Sequence, residues 1–116
     1  MKEYTYYATV LEKDDLYFIN FLDIANKCSF VGCSTWCEKD QIEHMAKDLL
    51  ITVLSALKDE NEKFPKSSES LIEYITKSVA HIEKDLKSEE PIYDFNNISY
   101  MQVTVNENEL TESIFI

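Results

Sequence analysis

"YTYYATVLEKDDLYFINFL", residues 4–22, decides how the chain folds. Two runs rich in aromatic and β-branched residues, 4–12 and 16–22, flank the polar stretch "EKDD". That is the pattern of a β-hairpin. In the first strand Tyr4, Tyr6, Ala8 and Val10 point to one face, and Thr5, Tyr7, Thr9 and Leu11 to the other. Both faces carry apolar area, so one side is expected to be covered by the rest of the fold and the other to be open to a partner.

Beyond the hairpin, "DIANK" reads as a loop and "CSFVGCS" (28–34) as a third short strand ending at Gly32, the only glycine. From Glu38 the period becomes helical. Ile42, Met45, Ala46, Leu49, Leu50, Val53, Leu54 and Leu57 recur at i, i+3, i+4 spacing, predicting a helix over 38–58 with Ser34 or Thr35 as N-cap. Pro65 requires that helix to have ended by Phe64. Ser70 followed by Glu73 is a capping-box pattern, which starts a second helix over 70–87. Its apolar stripe is Leu71, Ile72, Ile75, Val79, Ile82 and Leu86, with His81 off the stripe and expected in solvent. "ISYMQVTV" (98–105) alternates as a last strand. The order β-β-β-α-α-β predicts a single α+β domain over 1–116: an antiparallel sheet with the helices packed on one face, the second alongside the first.

Composition bounds the function. The chain has 116 residues, 22 acidic against 11 basic, and a net charge of −11. Every basic residue is Lys. Arg supplies the forks that clamp phosphates and read guanine edges. Its absence and the sign of the charge argue against nucleic-acid binding and favour a basic protein partner. No apolar run is long enough to span a bilayer, and "MKEYTYY" lacks the apolar core of a signal peptide, so a cytoplasmic protein is expected.

"FVGCSTWCEKD" (30–40) raises the question of a thiol or metal site, with Cys28 before it and His44 after. The C-x4-C-x3-C spacing does not repeat as a zinc site requires. One glycine cannot build a phosphate-cradling loop. No third group orients a Cys–His pair. The stretch is read as a strand-to-helix junction with incidental cysteines, and neither cofactor nor metal is expected. A nuclease would have to draw on Asp14, Asp15, Asp23 and Glu43 as metal ligands. Asp is expected in a hairpin turn anyway, and nothing in the sequence forces the four together.

The residues also resemble the HicB-type antitoxins of bacterial toxin–antitoxin pairs. "YYATVLEKDDLYFINFLDI" is similar to that family's opening hairpin, with Leu22 where proline is common. Gly32 stands where the family's third strand meets its helix, although "GCSTWCEKD" is longer and lacks the usual aspartate. "LSALKDENEKFPKSS" is similar to the family's helix end, with Asn61 in place of its glycine. The resemblance covers residues 4–68, with a weaker match at "ISYMQVTVN"; the helix at 70–87 looks like an insertion.

The resemblance implies a partial ribonuclease-H-like fold without nuclease chemistry, and a small basic HicA-type mRNA interferase as the protein bound and neutralised by occlusion. It also implies a C-terminal DNA-binding domain, yet only eleven residues follow Val105, so none is expected on this chain. The contact residues expected are Asp23, Glu38, Asp40 and Glu43, with Tyr17 as an aromatic anchor. Self-association into a homo-oligomer is compatible with this reading. The alternatives are an orphan HicB-like module with another basic partner, and a metal-dependent ribonuclease-H-like nuclease.

Overall fold

The computed structural model describes residues 2–25, 34–87 and 97–110. Strands β1 (Glu3–Lys13), β2 (Leu16–Asn20), β3 (Ser34–Cys37) and β4 (Asn97–Asn106) form one antiparallel sheet in the order β3-β2-β1-β4. The helices are α1 (Leu22–Ala25), α2 (Ile42–Asp59) and α3 (Leu71–Leu86). The α+β class and the antiparallel sheet are as expected. None of the described helices is long and apolar enough to cross a membrane.

The hairpin turns where the sequence places it. Lys13 pairs with Leu16, leaving Asp14 and Asp15 as a two-residue turn at φ 50° and 69°. Successive left-handed residues match the twist of the flanking strands, and Asp tolerates that region better than most residues. α2 closes in a Schellman arrangement: Asn61 sits at φ 57°, and the N–H groups of Asn61 and Glu62 donate to the carbonyls of Lys58 and Leu57. Asn61 thus fills, at a left-handed position, the place of the glycine in the resembled family.

Several expectations are corrected. A strand is described at Ser34–Cys37, where the chain was expected to be entering the helix; the strand expected to end at Gly32 lies outside the described residues. Ser34 and Thr35, read as helix caps, pair with Asn20 and Ile19. Residues 28–33, with Cys28, Gly32 and Cys33, lie outside the described residues. A one-turn helix, α1, begins where a loop was expected.

A further correction concerns the second helix, which does not lie alongside the first. α2 covers the face of Tyr6, Ala8 and Val10, burying Ala46, Leu50, Val53, Leu54 and Leu57 against them together with Ile19, Val103 and Val105. α3 covers the opposite face, where the Tyr74 hydroxyl bonds to Thr9 Oγ1 at 2.9 Å and the Tyr74 ring lies 5.6 Å from Tyr7. β1 carries buried side chains of both parities, so both of its faces need cover.

The face that α3 buries also differs from the expected stripe. Tyr74 and Ser78, off the stripe, point inward together with Ile82, which is on it, whereas Leu71, Ile72 and Val79 are exposed, Ile72 by 78%. The capping box is present: the Glu73 N–H donates to Ser70 Oγ at 3.1 Å. His81 is exposed, as expected.

Candidate functional site

The acidic groups gather at the turn end of the hairpin. β3 pairs with β2 so that Tyr17 stands opposite Cys37. Glu38 therefore leaves the sheet beside the hairpin turn, and a single 3₁₀ turn (Lys39–Gln41) leads from it into α2. The result is an open depression of about 720 Å³ lined by Asp14, Asp15, Leu16, Glu38, Lys39 and Asp40. A second depression, of about 450 Å³, shares Lys39 and Asp40 with it and continues between Glu43 at the start of α2 and Ser99 to Met101 on β4. Val10, Ile42 and Met101 give this second part an apolar floor. The two form one groove with five carboxylates, from Asp14, Asp15, Glu38, Asp40 and Glu43, and one ammonium, from Lys39.

Of the residues named from sequence, Glu38, Asp40 and Glu43 are exposed and line this groove. Tyr17 is half-buried against the main core, on the strand next to Cys37. Asp23 stands apart. It is only 5% exposed, and its carboxylate accepts from the Ser68 N–H at 2.7 Å, from the Ser68 hydroxyl at 2.8 Å and from Lys77 Nζ at 3.2 Å. Its role is to tie α1 to the segment before α3 and to α3 itself. Lys77 also pairs with Glu73 at 3.2 Å, so the link continues along the helix.

From sequence, Asp14 and Asp15 stand out as turn residues and as carboxylates a nuclease would need, not as neighbours of Glu38 and Asp40. The groove they share with Glu38 and Asp40 depends on β3 pairing with β2 as far as Cys37, opposite Tyr17, which brings Glu38 beside the turn.

The cysteine question has a structural answer. Cys37 is buried and free of disulfide, facing the main core. Burial, and secondarily the Asp40 carboxylate, push its thiol pKa up, the reverse of what an activated nucleophile or metal ligand needs. His44 points to solvent from α2. Among the described residues no three His, Cys, Asp or Glu side chains are grouped as a metal site would group them. Asp14 and Asp23, both needed by the nuclease reading, lie at opposite ends of β2.

No protein-family model matches the chain. No curated protein matches it either. Among solved structures, the chain is similar to one in the "Toxin-Antitoxin complex from Streptococcus pneumoniae", with a TM-score of 0.64 and 21% identity over 99% of this chain and 78% of that one. At that identity, the likeness is one of fold.

Proposed function

We propose that the protein is an antitoxin of the HicB type, which binds a small basic HicA-type mRNA interferase and holds it inactive by covering its RNA-binding surface. The observation that carries this reading is the groove at the hairpin end, where four exposed acids from two separate segments, Asp14, Asp15, Glu38 and Asp40, line one open depression. Like charges placed together cost stability unless something opposite meets them. A basic protein surface would do so, and complementary charge would also speed the encounter. The fold likeness to a chain of a toxin–antitoxin complex and the absence of Arg from the sequence support the same reading.

In this reading Glu38, Asp40 and Glu43 face the toxin directly, joined by Asp14 and Asp15, and Tyr17, half-buried on the strand beside Cys37, is the aromatic anchor next to them. Asp23 acts beneath the surface by holding α1 and α3 in place. The protein needs no catalytic step and no cofactor; occlusion is a binding event in the cytoplasm. The test is to express the small basic protein encoded beside this gene, with and without this chain. Growth arrest relieved by the chain, together with a purified stable complex, supports the proposal. Arrest that persists with no complex formed overturns it.

A further inference from the structure

β4 is an outer strand of the sheet, and among the described residues nothing pairs with its far edge. Ladder parity fixes which backbone groups face out. The Glu107 N–H donates to the Lys2 carbonyl at 2.9 Å, so the adjoining Glu3–Asn106 couple is a non-hydrogen-bonded pair. Alternation along the ladder then turns the N–H and C=O of Ile98, Tyr100, Gln102 and Thr104 away from β1. Asn106 faces the same way, and its N–H is closed off by Glu109 Oε1 at 2.9 Å. Among the described residues no side chain caps the other four.

Edges of this kind are usually blunted by Lys, Pro, a bulge or an inward-pointing charge. β4 has none of these. "NISYMQVTVN" (97–106) contains no Asp, Glu, Lys, Arg or Pro, in a chain whose net charge is −11. Its register with β1 runs unbroken from Glu3–Asn106 to Glu12–Asn97.

The geometry points to this edge as the seat of a second copy of the chain. β4 pairs antiparallel with β4 of the other copy across a two-fold axis, continuing the sheet through both molecules. Charge selects this occupant. Two chains of −11 repel over most of their surfaces and meet at least cost along a strip that bears no charge. A basic partner would gain nothing from that strip, because the carboxylates it needs lie in the groove. Outward N–H and C=O groups at every second residue are also self-complementary under a two-fold axis, as an isologous interface requires.

The test uses the purified chain alone, so its failure is separate from failure of the antitoxin reading. Sedimentation across a concentration series is expected to shift from one chain to two. The shift should strengthen with salt, because screening relieves repulsion between the acidic copies. Amide exchange at Tyr100, Gln102 and Thr104 is expected to slow by about tenfold or more as the dimer fills. Gln102→Pro removes an outward donor without taking any N–H from the ladder to β1, and Gln102→Glu sets like charges near the axis. Each is expected to keep the chain monomeric with an unchanged circular dichroism spectrum; if the proline variant does not fold, the glutamate variant and the exchange rates decide.

A monomer at every concentration and salt, with fast exchange at those amides, overturns the inference. So does a dimer whose β4 amides stay unprotected. Protection that appears only when a basic protein is added also overturns it, and assigns the edge to that partner.

Discussion

The two faces of the sheet are covered by different chemistry. Under α2 the contact is aliphatic: Leu50, Leu54 and Leu57 are fully buried against Ala8, Val10, Ile19 and Val105. Under α3 it is largely made by hydroxyl groups. The Tyr74 hydroxyl reaches Thr9, the Leu22 N–H and the Asn20 carbonyl, while the Tyr100 hydroxyl donates to Ser78 at 3.1 Å. Aliphatic burial is non-directional and tolerates small shifts, whereas hydrogen bonds fix position and are costly when one partner is lost. The second helix is therefore held in register by polar anchors while its more hydrophobic side faces outward.

Mutations should separate the two faces. Leu54→Ala, in the aliphatic layer, is expected to cost about 2–5 kcal/mol of stability in denaturant unfolding. Tyr74→Phe keeps the ring but leaves Thr9 Oγ1 and the Leu22 N–H without their partner, at a cost of about 1–3 kcal/mol. Asp23→Ala strands the Ser68 N–H and hydroxyl and should cost a similar amount, seen first as faster amide exchange in α3 and only then as global unfolding. A loss from Tyr74→Phe as small as that of an exposed substitution would show that the hydroxyl cluster does not anchor α3. The smallest effect has the opposite sign. Ser55 is buried in α2 and its hydroxyl has no partner among the described residues, so Ser55→Ala should stabilise by about 1 kcal/mol.

The α3 face also predicts an alkaline response. Burial, partly offset by the hydrogen bonds to Thr9 and Leu22, pushes the Tyr74 hydroxyl from 10.0 up to about 12. Its raised pKa means that this contribution to stability is complete below the unfolded value and is lost as pH rises through the folded one. Unfolding free energy should therefore decline between pH 10.0 and about 12. Tyr74→Phe should flatten that part of the decline, and a decline unchanged by the substitution would assign it to other groups.

The sequence made the α2 face readable because its signal is hydrophobic periodicity, and every buried position of the helix's apolar stripe falls on that period. The hairpin was equally legible, since turn residues and β-branched runs mark it from both sides. α3 was readable as a helix, from its capping box, but not in its orientation. A stripe of Leu, Ile and Val predicts the buried side only when burial is driven by apolar area; here Tyr74 and Ser78 are drawn in by partners on β1 and β4 that no local pattern announces.

The candidate site was legible in part for a related reason. Glu38, Asp40 and Glu43 could be picked out as acids near a helix start, but their meeting with Asp14 and Asp15 depends on strand register. Asp23 looked like one more surface acid because its partners, Ser68 and Lys77, come from distant segments.

If the groove at the hairpin end binds a basic toxin, reversing the groove's charge must weaken that binding. The decisive measurement is toxin affinity for Glu38→Lys/Asp40→Lys beside a control reversal of the same charge, Glu60→Lys/Glu62→Lys, at the far end of α2. The groove variant is expected to lose at least about tenfold in affinity, largely through a slower association rate, and the control to change little. Equal losses in both, or none in either, would contradict binding at the groove.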